Sequence, residues 1–472
     1  MMNLPKITVY IPSHNYGKFL EQAIESVMRQ SVNNWELLLI DDNSADNTSE
    51  VLNLYRGDPR IRLFRTDGIG LIGVANLALN EAQGEYIIRL DGDDYFDENI
   101  LLVLSHYLDQ NPSAALVFPD FYLVDANGGI ISLERREKLY QQNHMLDVPA
   151  NGACTLVRTQ ILKDAGGYRT DIDAHDGFDL WVKMCRQFKC ANINLPLFFY
   201  RRHGKNLTEK NYRIFNARRH IKRFMITPEM EQHRPVIALI PCRRNYDFMP
   251  DAWSAEIGGK TLLCKSLEIA VASDVFDEIV VACDTEAVRE EMMKFSDERI
   301  SFFLRESEET IRSRSIVDTM ERATFIPDPE RRGITVLVHN QAPFKTTAGI
   351  EEAVYTTLLN NADSAIAVRE VKDPIYKRTA NGIKAINPEN NLNSDFDMLF
   401  IETRTILAAM NRNFPRGMLL GNSVVNFVVP DEESFFIKSK RDLQIARAIA
   451  ELDVDGNNGN QDVLDSLEVE KL

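Results

Sequence analysis

Two separate stretches of this chain alternate apolar β-rich runs with amphipathic segments, and that alternation limits the fold more than any other feature. In the first stretch KITVYIP (residues 6–12) is closed by Pro12. Asn15 can then cap a helix whose apolar face is Leu20, Ala23, Ile24, Val27 and Met28, at spacings of three and four. WELLLIDDNS (35–44) is a continuous apolar strand ending in acids and turn formers. A capped helix, IRLFRT (61–66), the helix GVANLALNEAQ (73–83) and the strand EYIIRLDGDD (85–94) follow. Such alternation predicts a mostly parallel sheet covered on both faces, with ligands bound beyond the carboxyl ends of its strands. Asp41, Asp42, Asp91 and Asp93 all fall at such ends. The pattern pauses after EKNYRIFNARRHIKRFMI (209–226), which reads as one helix with a basic face, and TPEMEQHRP (227–235), which reads as a linker. It restarts at Val236 with VIALIP and runs to about Ala450, so a second α/β domain is expected. The acidic, Gly/Asn-rich tail that follows is expected to be mobile.

A length of 472 residues fits two or three domains. No apolar run approaches the ~20 residues of a membrane span, and the amino terminus lacks a signal-peptide pattern, which makes the cytoplasm the expectation. The six cysteines form no C-x-x-C pair, so reduced thiols are expected rather than a zinc knuckle or redox motif. A net charge of −16 argues against general nucleic-acid binding.

Residues i and i+2 of a strand point the same way, so Asp91 and Asp93 can present hard oxygen ligands to one side. Mg²⁺ and Mn²⁺ take such ligands, commonly one or two carboxylates plus substrate phosphates. The alternative is a solvated DGDD turn. The acid pair Asp41–Asp42 at the end of another strand of the same sheet favours a site.

With these motifs in order, residues 6–208 resemble the family 2 glycosyltransferases of GT-A fold. The resemblance rests on VYIPSHNYGKFLEQAIESVMRQ, LLLIDDNSADNT, NLALNEAQGEYIIRLDGDDYFDEN, GACTLVRTQILKDAGGY, HDGFDLWVKM and FYRRHGKNLT. It implies that Pro12 and His14 line a base pocket, that Asp41 and Asp42 hold the base and ribose of a nucleotide-sugar, and that Asp91 and Asp93 serve a metal ion and the diphosphate. Asp91 is thus expected to serve both nucleotide and metal, with Asp94 in support and His203 as a further metal or diphosphate contact. Asp176 falls at the family's general base. It could instead only cap the following helix, and Asp179 is the fallback base. Two departures stand out: Gly177 interrupts the usual acid pair, and Ala75 replaces an arginine often found before Asn76.

Residues 236–450 resemble the cytidylyltransferases that activate nonulosonic sugars with CTP, through IALIPCR, GGKTLL, DEIVVACDTEAV, VLVHNQAPFKT, GIEEAV, ADSAIAVREV and SFFIKSKRDLQIARAI. The family's glycine-rich phosphate loop is replaced here by CRRNYDFMPDAWSAEIGGK (242–260), with Asp247 where a lysine belongs. Bulky residues deny phosphate the close backbone approach that glycine allows. The family's metal-binding D-I-D becomes Phe436-Ile437-Lys438, which cannot hold Mg²⁺.

The expected architecture is therefore two nucleotide-diphospho-sugar-transferase-like α/β domains in tandem, joined by a basic helix. The divisions are 1–208 for the transferase, 209–234 for the helix and linker, 235–452 for a cytidylyltransferase-like domain without activity, and 453–472 for the tail. The expected activity is metal-dependent (Mg²⁺ or Mn²⁺), inverting transfer of a sugar from a nucleotide-diphosphate donor, UDP-linked first, to a glycan or glycoconjugate hydroxyl. A bifunctional enzyme that also makes a CMP-sugar and a non-catalytic assembly protein are the alternatives. The helix 209–226 has two readings: a solvated face packed between domains, or contact with anionic lipid at the inner membrane face or with an acidic saccharide. The second domain could also serve homo-oligomerisation.

Overall fold

The structure, a computed structural model, describes residues 4–136, 150–172, 174–203, 211–306, 315–371, 373–380, 382–386, 392–394 and 399–456. The chain divides into two compact units, Met1–Ile221 with Lys372–Leu399, and Lys222–Val371 with Phe400–Leu472.

The first unit begins with β1 (Ile7–Ser13), α1 (Gly17–Met28), β2 (Trp35–Asp42), α2 (Thr48–Asn53), β3 (Ile61–Thr66), α3 (Gly70–Glu81) and β4 (Tyr86–Arg89). It continues with β5 (Tyr95–Phe96), α4 (Ile100–Gln110), β6 (Ala114–Val124), β7 (Ile130–Arg135), β8 (Leu156–Arg158), α5 (Thr159–Asp164), α6 (Asp176–Gln187), β9 (Lys189–Arg201) and α7 (Asn211–Ile226). Along the main path of the sheet the order runs β7-β6-β8-β4-β1-β2-β3, with the strand Leu392–Ser394 outside β7. β1 runs parallel to β2 and to β4, and β2 parallel to β3. β8 is antiparallel to both β4 and β6, while β9 lies parallel to β6 and antiparallel to β5. All eight residues of β2 are buried, as a strand covered on both faces requires. The apolar stripe of α1 meets this sheet: Leu20, Ala23, Ile24 and Val27 share one core with Val9, Ile11, Leu37 and Leu39.

Two local expectations are corrected. Asn15 does not cap α1. It adopts φ 61°, and its Oδ1 accepts from the Ala45 amide at 2.8 Å, while Asp46 Oδ2 accepts from the first helical amide, Gly17, at 2.9 Å. A carboxylate from the next loop thus supplies the acceptor that a capping side chain would. Nor is the basic face of α7 uniformly solvated. Arg219 is buried, and Lys222 is fully buried, donating to Glu352 Oε1 and Thr356 Oγ1, each at 2.9 Å.

The second unit repeats the α/β alternation on a seven-stranded sheet. In order across the sheet its strands are Ile300–Leu304, Glu278–Cys283, Val236–Pro241, Ile334–Val338, Phe400–Met410, Ser364–Glu370 and Val424–Val428. The first four are mutually parallel, and Phe400–Met410 is antiparallel to both of its neighbours. All six cysteines are free, four of them buried. The last helix extends over Lys440–Gly456, and the remaining tail lies outside the described residues.

Lys345 in this unit is buried, with Nζ donating to the Ala342 carbonyl at 2.7 Å and the Ser266 hydroxyl at 3.1 Å. Burial first, and then the nearby Lys265, push its ammonium down to about 7. An unfolded lysine holds its proton to about 10.4, so between these values the folded chain binds fewer protons and stability climbs with pH. The penalty is fully present below the folded value. Lys345→Met should therefore raise the melting temperature at neutral pH, by about 2–4 °C per kcal/mol recovered, with the gain shrinking toward pH ~10. Thermal melts across that range check this; a pH-independent gain would contradict the assignment.

Candidate active site

A cavity of about 760 Å³ opens at the carboxyl ends of β1, β2 and β4, lined there by Pro12, Ser13, His14, Asp42, Arg89, Asp91 and Asp93. Asp176 lines it from the first turn of α6. Pro12, His14, Asp42, Asp91, Asp93 and Asp176, far apart in sequence, thus share one cavity.

Asp41 and Asp42 part ways because consecutive strand residues face opposite sides. Asp42 faces the cavity, and its carboxylate accepts from Thr66 Oγ1 at 2.5 Å and from the Ile69 and Gly70 amides, each at 2.8 Å. Burial opposes its charge, but these three donors outweigh burial and hold the carboxyl below the usual range. Asp41 is turned into the following loop, where it accepts from the Ser44 amide and the Ser49 hydroxyl, both at 2.9 Å. His14 Nδ1 donates to the Asp42 carbonyl at 2.6 Å, and Nε2 accepts from the Asn15 side chain at 3.0 Å.

Arg89, the last residue of β4, is buried and ties two of the acids together. Its Nη1 donates to Asp176 Oδ2, and its Nε lies 3.0 Å from Asp91 Oδ1 in an ion pair without hydrogen-bond geometry. Burial pushes the Asp91 carboxyl up to about 6, with Arg89 pulling against it and Asp93 and Asp176 adding to it. The shift shows several like charges gathered where water is scarce. The glycine that broke the expected acid pair has a place here: Gly177 packs against Gly152. A Cβ on Gly152 would come within 3.1 Å of Arg89 Nη2. Asn76 supports the same region, exchanging two hydrogen bonds with the Tyr168 backbone at 2.8 and 2.9 Å. Gly167, at φ 66°, leaves room for it: a Cβ there would sit 2.7 Å from Asn76 Oδ1.

Arg201, the last residue of β9, pins the acidic loop from the other side. Its amide donates to Asp94 Oδ1 at 2.8 Å, its Nε to the Asp93 carbonyl at 2.8 Å, and its Nη2 to Gln22 at 2.7 Å. Asp94 is buried behind the loop and does not line the cavity. Burial and the charges of Asp93 and Asp91 push its carboxyl well up. His203 Nε2 lies 2.9 Å from Asp93 Oδ2, so the imidazole orients that carboxylate. Asp179 is buried one turn into α6, ion-paired with Lys183 at 3.0 Å, and does not line the cavity. Residues 204–210, which complete the FYRRHGKNLT motif, lie outside the described residues.

Among the described residues no cluster of three His, Cys, Asp or Glu side chains is arranged to hold a metal ion. Two facing carboxylates nonetheless suit a hard divalent cation that draws its other ligands from phosphate and water. Asp91 Oδ1 is buried without a hydrogen-bond donor, and Asp91 and Asp93 both face the cavity. The donor set therefore fits Mg²⁺ or Mn²⁺. Sequence reading missed Arg89 and Arg201. Arg89 sits inside an apolar strand, and its only sequence signal is the i, i+2 spacing to Asp91.

In the second unit the loop that should cradle phosphate is filled with side chains. Tyr246 is buried, with Asn340 Nδ2 donating to its Oη at 2.9 Å. Phe248, Met249, Phe344 and Phe435 pack on a small core of Ala255, Ile257, Leu262, Ile437, Leu443 and Ala446. Arg243 lies 3.8 Å from Asp247 and over the Tyr246 ring.

Residues 8–164 match the family model described as glycosyl transferase family 2, and residues 237–420 match the model described as cytidylyltransferase. Over residues 8–164 the first unit thus carries a family 2 glycosyltransferase domain on a mixed α/β fold. The chain as a whole joins that domain to a cytidylyltransferase domain. Among curated relatives, the chondroitin synthase of Pasteurella multocida (strain Pm70) is 29% identical over 216 residues, covering 44% of this chain and 22% of that protein. The hyaluronan synthase of Pasteurella multocida is 29% identical over 219 residues, 45% of this chain and 22% of that protein. The chain therefore spans about a fifth of the length of these relatives. The crystal structure of S. aureus TarS 1-349 in complex with UDP-GlcNAc aligns at 18% identity over 47% of this chain and 66% of that chain, with a TM-score of 0.41.

Arg89→Met leaves the buried Asp176 and the half-buried Asp91 without their shared cation. It should lower the unfolding free energy by about 3–5 kcal/mol, measured by urea denaturation. Adding Asp176→Asn should recover part of that loss. Losses that simply add, within about 0.5 kcal/mol, would show that the two side chains are not coupled.

Proposed function

We propose that this chain is a metal-dependent, inverting glycosyltransferase that moves a sugar from a nucleotide-diphosphate donor to a hydroxyl of a glycan or glycoconjugate. The observation that carries this reading is the gathering of Asp42, Asp91, Asp93 and Asp176 on one cavity at the carboxyl ends of the parallel strands. The family 2 match over residues 8–164 supports it. Relatives named as chondroitin and hyaluronan synthases favour a saccharide product and hence a saccharide acceptor.

In this reading Pro12, His14 and Asp42 hold the base and ribose, and Asp41 closes the loop behind them. Asp91 and Asp93 would hold the Mg²⁺ or Mn²⁺ ion, whose chemistry is to neutralise the departing diphosphate. His203 keeps Asp93 aimed, and Asp94 anchors the loop through the Arg201 amide. Asp176 takes the proton of the acceptor hydroxyl as its oxygen attacks the anomeric carbon. The bond to the diphosphate oxygen breaks on the opposite face, so configuration inverts. Arg89 engages Asp176 Oδ2 and thereby fixes the direction of the base. Asp179, buried against Lys183, supports α6.

The second domain is proposed to be non-catalytic and to serve assembly or ligand binding. Tyr246 and Phe248 occupy the loop where a triphosphate would need open backbone amides.

Three measurements test these assignments. Mn²⁺ with UDP-sugars should raise the melting temperature of the full chain by linkage, and Asp93→Ala should abolish that shift along with donor turnover. No stabilisation by any nucleotide-sugar would sink the enzymatic reading. Asp176→Asn should lower kcat by about 10²–10⁴ with donor affinity little changed. Incubation with CTP and nonulosonic acids should release no pyrophosphate; release would restore the bifunctional alternative.

A further inference from the structure

The cavity has two flanks of opposite electrostatic character. Sheet order places β2, with Asp42, on one side of β1 and β4, and β6 and β7 on the other. Around β1, β2 and β4 the lining charges are Asp42, Asp91 and Asp93 against Arg89, with Asp176 facing them from α6. On the β6–β7–β9 flank they are Arg135, Arg136 and Arg202 against Asp120 and Glu134, with Arg213 adding a further cation.

The arginine flank is a built feature. Asp120, buried in β6, accepts from Arg135 Nε at 3.1 Å, from the Arg136 amide at 3.2 Å and from Asn194 Nδ2 at 3.2 Å. Asn194 Nδ2 also donates to the Arg136 carbonyl at 2.5 Å. One buried carboxylate therefore spends its acceptor capacity on fixing the end of β7, and this delivers the two arginines to the cavity. The Arg136 guanidinium lies over the rings of Phe118 and Trp181, at 5.2 and 5.6 Å from their centroids. Arg202 lies over Tyr200 at 5.7 Å and is exposed. It has no carboxylate partner among the described residues. A guanidinium held on an aromatic platform beside a cavity is suited to a planar oxyanion, which it can bind through two hydrogen bonds.

Resting on the glycosyl-transfer reading, we propose that this flank is the acceptor subsite and that it selects a negatively charged saccharide, held through a carboxylate or phosphate oxyanion by Arg202 with Arg136 and Arg135 alongside. The acidic flank, where Asp91 and Asp93 would hold a divalent ion, would take the donor diphosphate, so the two anionic substrates would meet opposite ends of the cavity field.

The test uses the full chain, a UDP-sugar donor with Mn²⁺, and three acceptors: a uronate-terminated oligosaccharide, its carboxyl-reduced neutral counterpart, and a phosphate-monoester-terminated one. Both kcat/KM and the acceptor dissociation constant are read. The expected result is preference for a charged acceptor over the neutral one by about 10–100-fold, with the two charged probes showing which oxyanion is preferred. In Arg202→Gln that preference should collapse toward unity, while Arg202→Lys should retain part of it. Equal use of neutral and charged acceptors by the wild type overturns the proposal and leaves glycosyl transfer standing. A loss in Arg202→Gln that is equal for charged and neutral acceptors also overturns it, since the arginine would then serve the donor or the fold. The acceptor dissociation constants need no turnover, so even a chain that fails to transfer sugar shows whether the subsite prefers a charged saccharide.

Discussion

Arg89 is the group around which the amino-terminal site is assembled. Asp91 and Asp176 face the cavity, Asp176 is buried, and burial makes the charge of Asp91 costly. Two such carboxylates would repel across a low-dielectric gap, and one would take up a proton or swing away. A guanidinium on the strand that carries Asp91 removes that instability. It is planar, always charged and able to address two acids at once. Because Asp91 follows Arg89 by two residues, the cation and its first partner leave the sheet on the same side. The second partner must be brought to them, and the chain does so through an irregular turn. His175 adopts φ 62°, and α6 starts at the next residue. A left-handed conformation at a non-glycine costs about 1–3 kcal/mol. It is held there by the ion pair it makes possible and by the close packing of Gly152 and Gly177.

A second arginine does for the loop what the first does for the base. Arg201 binds the Asp93 carbonyl, the Asp94 carboxylate, Gln22 in α1 and the carbonyls of Asp125 and Ala126. It thus connects β9, α1 and the β6–β7 turn to the acidic loop without touching the cavity side of Asp93. Asp93 is left with its Oδ2 against His203 and its other oxygen toward the cavity lining. Rigid support behind a carboxylate pair matters for a hard divalent ion, whose affinity depends on ligand placement more than on ligand number.

Much of this is legible in the amino-acid sequence alone. Period-two alternation places Asp91 and Asp93 on one side, and both line the cavity. The same rule says that Asp41 and Asp42 cannot both do so. The motif resemblance treats them as a pair, whereas the structure sends Asp41 into a loop turn and Asp42 to the cavity. Gly177 reads as a gap in a pattern because its packing partner, Gly152, is twenty-five residues away and carries no signal of its own. Arg89 reads as one more residue of a buried strand. Lys222 reads as part of a solvated basic face because its counter-ion, Glu352, lies 130 positions further on. What sequence reading could not supply was in each case a contact between distant segments. What it supplied well was local period and the places where strands end.

The two domains place different side chains at the ends of similar parallel strands. In the amino-terminal domain the residues just past the parallel strands are acids and polar groups turned toward open space. In the carboxyl-terminal domain the corresponding positions are Cys242, Cys283 and Asn340, and Asn340 hydrogen-bonds inward to Cys242 Sγ and Tyr246. Lys345, the buried cation nearby, donates to a carbonyl and a hydroxyl and has been driven toward neutrality by burial. A triphosphate needs several full positive charges or a metal ion, with exposed amides to receive it. Burial lowers the lysine's hold on its proton, and Tyr246 and Phe248 fill the loop in front of it. The sheet beneath that loop is as well packed as the catalytic one, since strand burial depends on apolar content and not on what is placed at the strand ends.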